Sequence, residues 1–331
     1  MVFIIKNYNG ISLKNYIMPQ FHEEINGIDG INDDNFSNND NLYVYFIEKY
    51  NKIPDAIIFL WDYSDDIYDK IRNQLINTKI IIWADDLHYF NIERYKKMLK
   101  CYSNCDYILS HYNRYKEFYD LEIENKILHF GNSCSDLFIR EKINEDSENK
   151  IYMYGAVNEH YKSRVFFKNK MLNDFNDKFY FKNHPGYDGD QSKITLSTVK
   201  EMYNYTFCYT AGVFPVCNLP EELNKYKKNI ELYGSGILGK FYEISGSGLL
   251  LLCDNKGLKD ELEKQGFKNM INYIHIDENN FDEIINFIFN DDNKEIIKNI
   301  RKNGFELVNN NHLIKHRMKL INDFLYDKLL N

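Results

Sequence analysis

The sequence predicts an α/β protein made of two halves, each built around a parallel sheet. Two observations support this prediction. Short apolar runs alternate with helical patterns along most of the 331 residues, which is the order expected for parallel strands joined by crossover helices. The alternation stops in a charged stretch at residues 141–150 and then begins again. That interruption indicates a linker between two similar units.

Each half can be divided into elements by the length and spacing of its apolar runs. In the first half, strands are expected at 2–5, 56–61, 80–83, 107–110 and 126–130, helices at 66–76, 92–102 and 114–118, and a loop at 23–40. In the second half, strands are expected at 151–154, 179–182, 205–210, 249–253 and 273–276, and helices at 163–175, 281–289, 294–303 and 314–330.

Composition excludes several classes of protein. The 27 Tyr and 23 Phe are too many for a disordered chain. A net charge of -8 without a block of Lys or Arg argues against a nucleic-acid partner. The six Cys lack zinc spacing, which favours reduced thiols and a cytoplasmic location. The apolar start is too short for a signal peptide, and no run approaches the roughly 18 apolar residues of a transmembrane segment.

The most informative segment covers residues 240–254. It predicts a short helix with Lys240 and Glu243 three residues apart, so that both project from one face. A Gly-Ser-Gly turn that contains Ser247 follows and allows the helix to pack closely on the next strand. That strand has four consecutive leucines at 249–252, as expected for a parallel strand covered on both faces, and it leads to Asp254.

Two nucleotide-binding motifs overlap this segment and remain as alternatives. Gly234, Gly236 and Gly239 match G-x-G-x-x-G, and Asp254 lies near the position of a ribose-binding acid. The residues at 224–233 are too polar for the buried strand that this motif requires, however. A phosphate-binding loop is a weaker match, because Phe241 occupies the position where a hydroxyl must bind Mg²⁺.

The pattern of a basic residue, two aromatic residues, Glu-Ile, a glycine, four apolar residues and Asp resembles the donor-binding half of GT-B glycosyltransferases. Within this fold, it is most similar to the spore-maturation-type and glycosyl transferases group 1 families. The resemblance implies two Rossmann-like domains facing across a cleft. It also implies that Lys240 lies near the donor phosphates, that Glu243 accepts hydrogen bonds from ribose or sugar hydroxyls, and that Ser247 belongs to the same site. One difference is Leu251, which stands where retaining families often have a second Glu.

The resemblance also assigns a domain to each part of the chain. Residues 1–145 would form the N-terminal acceptor domain, and residues 150–312 the nucleotide-sugar donor domain. Residues 313–331 would form a terminal helix that packs back on the first domain. The sequence from His312 onward includes His316 and Arg317, and a packing helix with an exposed basic face is the simplest expectation for it. The segment from His129 to Phe138 resembles the one that closes the first domain in many GT-B chains, although an ordinary polar loop remains an alternative.

Further donor-binding candidates follow the first two strands of the second half. Gly155 begins a loop that leads to Tyr161 and Arg164, and in the families that this chain resembles such a loop opens the first helix of the donor domain. A helix N-terminus favours a diphosphate, and Arg164 could add a bidentate contact. His184, in a Lys-Asn-His-Pro sequence, resembles the histidine that contacts the donor phosphate in related transferases. A solvent-exposed Arg164 and a His184 in a simple turn remain the alternatives.

Candidates for the acceptor side follow a strand of the first half. Asp85, Asp86 and His88 come directly after the apolar run 80–83, where a general base of an inverting GT-B enzyme would be placed. Two different roles stay open for the carboxylates. They could hold Mn²⁺ or Mg²⁺ as in GT-A transferases, or one Asp could cap a helix. Trp61 and Asp62 follow a neighbouring strand and are expected to line the same cleft.

The sequence therefore predicts a glycosyltransferase that moves a sugar from a nucleotide-sugar, preferably a UDP-sugar, to an acceptor hydroxyl of a glycan or another molecule. No metal and no cofactor other than the nucleotide-sugar substrate is expected. Two further functions are compatible with the same residues: a catalytically inactive module that binds sugars or nucleotides, and a nucleotide-dependent oxidoreductase that uses the glycines at 234–239.

Overall fold

A computed structural model describes residues 2–6, 30–31, 40–60, 65–84, 100–111, 124–157, 161–183, 191–212 and 237–330. It consists of two all-parallel sheets with helices packed on them, which is the α/β class that the sequence predicts. Among the helices in these ranges, none combines the length and the apolar character that crossing a membrane requires.

The first sheet has six strands in the order β2-β1-β3-β4-β5-β6. Its strands are β1 (Val2–Lys6), β2 (Gly30–Ile31), β3 (Ala56–Leu60), β4 (Lys79–Trp83), β5 (Tyr107–Ser110) and β6 (Ile127–His129). Helices α1 (Leu42–Tyr50) and α2 (Asp65–Gln74) precede β3 and β4. The last four residues of β4 are buried, as their continuous apolar run predicts.

The second sheet has five strands in the order β11-β10-β9-β7-β8. Its strands are β7 (Glu148–Gly155), β8 (Phe179–Asn183), β9 (Tyr205–Ala211), β10 (Leu250–Asp254) and β11 (Ile274–His275). The chain passes from β7 to β8 on one side and then returns to place β9 on the other side of β7. The two sides of β7 therefore carry connections in opposite directions, which creates a crevice at the carboxyl ends of β7 and β9.

The helices of this half cover both faces of its sheet. They are α3 (Lys162–Asp174), α4 (Gln191–Met202), α5 (Gly239–Gly246), α6 (Lys259–Lys264), α7 (Phe281–Phe289) and α8 (Lys294–Asn311). One further helix, α9 (Ile314–Leu330), follows them. Buried residues of α3, α7 and α8 share one apolar cluster with β7, β9 and β10. A second cluster on the opposite face joins α4, α5 and α6 to the same three strands.

The last helix packs on the first sheet rather than on the second. Ile314, Met318 and Ile321 lie on one face of α9, and they share an apolar cluster with Ile58 of β3, residues of β4 and Leu109 of β5. Each of these three α9 side chains is at most 1% exposed. Burial of this face holds the end of the chain against the sheet in which the chain began.

The expectation of an exposed basic face on α9 is wrong for Arg317, which is only 5% exposed. Its Nε donates to the carbonyl of Asn132 at 3.0 Å, and its Nη2 lies 2.6 Å from Nδ1 of His312. The amide of Asn132 in turn donates to the carbonyl of Ile237 at 2.7 Å. A buried guanidinium requires such partners because an unsatisfied buried charge is costly. Arg317 thus ties α9 to loops from both halves of the chain.

Candidate functional site

The candidate site lies where β7 and β9 end side by side. β7 ends at Gly155 and β9 ends at Ala211, and the two strands are neighbours in the second sheet. Parallel sheets bind ligands outside the carboxyl ends of their strands, at the point where the connections reverse direction. We call the five residues that meet here, Tyr154, Gly155, Arg164, Lys240 and Glu243, the strand-end cluster.

Arg164 is held rigidly at this edge by the ends of both strands. It is the third residue of α3 and is 4% exposed, so the alternative of a solvent-exposed side chain is wrong. Its Nη1 donates to the carbonyl of Ala156 at 3.3 Å and its Nη2 to the carbonyl of Ala211 at 2.9 Å. Nε has no hydrogen-bond partner among the described residues. The guanidinium therefore has a donor left for a ligand.

The N-terminus of α3 adds to this positive region. The residue before the helix, Tyr161, makes no capping hydrogen bond through its side chain, and the first turn contains no acidic residue. The first N–H groups of any helix have no acceptor within the helix, and the helix dipole adds partial positive charge there. The ring of Tyr161 lies 4.7 Å from the Arg164 guanidinium carbon. An anion bound at this end would meet both the backbone donors and Arg164.

Lys240 approaches the same strand end from α5. Its Nζ donates to the carbonyl of Tyr154 at 3.1 Å and lies 4.5 Å from the centre of the Tyr154 ring. Gly155 makes this approach possible, because a Cβ on Gly155 would lie 1.9 Å from the Lys240 Nζ. Gly155 also has a φ of +101°, which side-chain-bearing residues rarely adopt. The glycine thus makes room for the ammonium.

The surroundings of Lys240 lower its pKa. The pKa of Lys240 falls to about 7, first because burial removes hydration and second because Arg164 carries a charge of the same sign. Glu243 opposes this fall with its negative charge. Lys240 and Arg164 therefore repel each other, and a bound anion would reduce this repulsion.

Glu243 lies one turn along α5 from Lys240 and is only 5% exposed. Its Oε2 accepts a hydrogen bond of 2.7 Å from the hydroxyl of Tyr154. Burial raises the pKa of Glu243, whereas the Tyr154 hydrogen bond and the charge of Lys240 lower it. Lys240 and Glu243 therefore meet the same tyrosine, as their predicted position on one helix face requires. The sequence contains no signal that would have identified Tyr154 as their common partner.

Asp254 also reaches this edge, but both of its oxygens are engaged. Oδ2 accepts from the hydroxyl of Ser163 at 2.5 Å, and Oδ1 accepts from the backbone N–H of Lys256 at 2.9 Å. The residue that a dinucleotide motif would assign to ribose thus joins β10 to the start of α3. Within the described ranges, no three His, Cys, Asp or Glu side chains are grouped so that they could hold a metal ion.

The remaining predicted site residues lie elsewhere or outside the described ranges. Ser247 is 2% exposed and its hydroxyl donates to the carbonyl of Phe138 at 2.9 Å, so this hydroxyl joins two segments of the core. Its proposed contact with the donor stays a prediction without structural support. Residues outside the described ranges are His184, which follows the last residue of β8, Asp85, Asp86 and His88, which follow β4, and Trp61 and Asp62, which follow β3.

No family model matches the sequence, and no curated protein matches it either. Solved structures do match. A glycosyltransferase from Rickettsia africae ESF-5 is 12% identical and aligns over 100% of this chain and 98% of its own, with a TM-score of 0.58. HepE from Anabaena, solved in complex with UDP-glucose, is 8% identical over 98% of this chain and 99% of its own, with a TM-score of 0.56. The lipopolysaccharide outer core galactosyltransferase WaaB is 13% identical over 99% of both chains, with a TM-score of 0.53. These similarities confirm that the chain has the GT-B fold.

The fit between Gly155 and Lys240 can be tested by adding a methyl group. We expect Gly155→Ala to lower the free energy of unfolding by about 1–3 kcal/mol, because the Cβ displaces the ammonium and the positive φ strains an alanine. Urea denaturation measures this loss. In a Lys240→Ala background the steric part disappears, so Gly155→Ala should cost less there. An equal loss in both backgrounds would show that Lys240 does not occupy the space beside Gly155.

Proposed function

We propose that this chain is a glycosyltransferase that transfers a sugar from a nucleotide-sugar to an acceptor hydroxyl. One observation carries the proposal. The guanidinium of Arg164, the ammonium of Lys240 and the start of α3 converge where β7 and β9 end. A nucleoside diphosphate is the group whose size and charge suit such a position in a parallel α/β domain.

The charges of the strand-end cluster favour the leaving group of this reaction. Transfer of the sugar breaks the bond between its anomeric carbon and the diphosphate, and negative charge develops on the departing phosphate oxygen. Arg164 and Lys240 would stabilise that charge without moving, since protein contacts already hold both side chains. The two cations also repel each other in the free protein, which is part of why the pKa of Lys240 lies near 7. A bound diphosphate would relieve this repulsion.

Glu243 would bind a hydroxyl of the donor. An ionised carboxylate only accepts hydrogen bonds, so it suits the ribose diol or a hydroxyl of the transferred sugar. We favour a UDP-sugar because HepE, which shares the fold, was solved with UDP-glucose. The acceptor would approach from the first half, where Asp85, Asp86 or His88 would act on its hydroxyl. No divalent metal is required in this proposal, because Lys240 and Arg164 supply the positive charge.

Binding measurements test the donor site directly. The parent should bind at least one member of a panel of UDP-, GDP-, ADP-, CMP- and dTDP-sugars in isothermal titration calorimetry. Glu243→Gln should weaken that binding by roughly 1–3 kcal/mol, the range for a hydrogen bond to a charged group. Glu201→Gln is the matched control, because Glu201 pairs with Tyr152 and Lys182 instead.

The outcomes of this experiment separate the candidate functions. A parent that binds no sugar nucleotide rules out the proposed function. If Glu243→Gln binds every recognised nucleotide-sugar as the parent does, the function survives but the role of Glu243 is wrong. A parent that binds the donor yet neither transfers nor hydrolyses its sugar is a binding module that has lost catalysis.

Activity measurements test the acceptor side and the absence of a metal. Activity should persist in excess EDTA, and a complete loss that Mn²⁺ or Mg²⁺ restores would make Asp85 and Asp86 metal ligands instead.

Alanine at Asp85, Asp86 or His88 should lower turnover by about 10²–10⁴-fold where the residue is the general base, with unchanged donor affinity. An Asp that only caps a helix should instead lose about 1 kcal/mol of stability. Normal turnover of all three variants would place the acceptor site elsewhere.

A further inference from the structure

Tyr154 makes three contacts with the two charged residues of α5. Its hydroxyl donates to the Glu243 Oε2 at 2.7 Å, its ring faces the Lys240 Nζ at 4.5 Å, and its carbonyl accepts from the same Nζ at 3.1 Å. On the basis of the function proposed above, we propose that Tyr154 is a positioning residue of the donor site. It holds the Glu243 carboxylate and the Lys240 ammonium in the orientation that binds a nucleoside diphosphate and its ribose or sugar hydroxyl.

The place of Tyr154 in the fold suits this role. It is the last residue of β7 before Gly155 and pairs with Lys182 of β8, and Met153 just before it pairs with Tyr209 of β9. A site supported by a strand is more precise than one supported by a loop. Tyr152 lies two residues earlier on the same face of β7, and its ring packs 5.7 Å from that of Tyr154. The ring of Tyr154 is therefore fixed from one side by Tyr152.

The hydrogen bond from Tyr154 engages only one of the two carboxylate oxygens of Glu243. Oε1 faces Gly239, where a Cβ would lie 3.5 Å away, and no described residue donates to it. Tyr154 thus occupies one oxygen and directs the second toward the start of α5. A hydroxyl of the donor could donate a hydrogen bond to this second oxygen.

Tyr154 also favours the ionised form of Glu243, because its hydrogen bond lowers the pKa of that carboxyl group. Burial and the nearby Glu243 charge raise the pKa of the Tyr154 hydroxyl well above its ordinary value, so it remains a hydrogen-bond donor at neutral pH. The groups that face Glu243 are Tyr154, Lys240 and the buried thiols Cys134 and Cys208. Tyr154 and Lys240 are the two that lower the pKa of Glu243. Loss of the tyrosine hydroxyl should therefore raise it.

A double-mutant cycle tests whether Tyr154 acts through Glu243. The probe is the nucleoside diphosphate or sugar nucleotide from the panel that the parent binds most tightly, titrated by calorimetry. Tyr154→Phe should weaken its binding roughly tenfold, because a misplaced carboxylate loses much of a charge-assisted hydrogen bond. In a Glu243→Gln background, the same substitution should change the affinity by less than about twofold, since the group it positions has already lost its charge.

Tyr152→Phe is the matched control, because it removes a hydroxyl from the same face of β7 that contacts Glu201 at 3.5 Å. It should leave the affinity within about twofold of the parent, the usual range for a change outside a binding site. Equal losses of affinity in both Phe variants would show that the effect does not depend on the hydrogen bond to Glu243. A full tenfold loss that persists in the Glu243→Gln background would show that Tyr154 does not act through Glu243. Either result overturns the positioning role.

The pH dependence of binding supplies a second readout that packing alone would not change. In Tyr154→Phe, the carboxylate takes up a proton at a higher pH, so affinity should begin to fall at a higher pH on the acid side than in the parent. The profile of Tyr152→Phe should match the parent. An unshifted profile in Tyr154→Phe would contradict the inference while leaving the proposed function intact. A parent that binds no nucleotide at all would instead reject the proposed function.

Discussion

The contact between the Lys240 ammonium and the end of β7 is the interaction on which the site depends. The ammonium lies in the space that the missing side chain of Gly155 leaves, against the carbonyl and the ring of Tyr154. This contact fixes the start of α5 over the sheet and brings Glu243, one turn later, within reach of the tyrosine hydroxyl. A bulkier residue at Gly155 would displace the ammonium from the end of β7.

The same arrangement buries charged side chains where the loss of hydration disfavours their charged forms. Lys240 and Arg164 repel each other, and Glu243 is buried with its pKa raised by loss of hydration. Buried charges cost stability unless they are paired. A site that is incompletely neutralised when empty gains more from binding an anion, because the ligand then supplies the missing charge. The buried and incompletely neutralised charges of Lys240 and Arg164 would therefore explain both the lowered pKa of Lys240 in the free protein and the proposed affinity for a nucleoside diphosphate.

The sequence predicts most strands and the best site residues, but not their partners. Apolar runs identify β4 and β10 because both strands are buried on both faces, and the spacing of Lys240 and Glu243 places them on one helix face. Their partner Tyr154 precedes Lys240 by 86 residues, so that contact depends on how α5 packs on β7. Helix α1 was not predicted because its aromatic and β-branched residues suit a strand equally well. Arg317 is buried because its face of α9 meets loops distant in sequence, which helical periodicity cannot reveal.

The most direct test of the central claim is chemical labelling of Lys240 with and without nucleotide, followed by mass spectrometry. At about pH 7.5, a lysine with a lowered pKa is partly neutral and reacts with an acetylating ester. The account predicts that Lys240 is acetylated in the free protein and protected by a saturating nucleoside diphosphate. Lys319, whose side chain is 76% exposed on α9, should react equally in both samples. Acetylation of Lys240 that is unchanged at saturating nucleotide would contradict the account, because the diphosphate would then bind elsewhere.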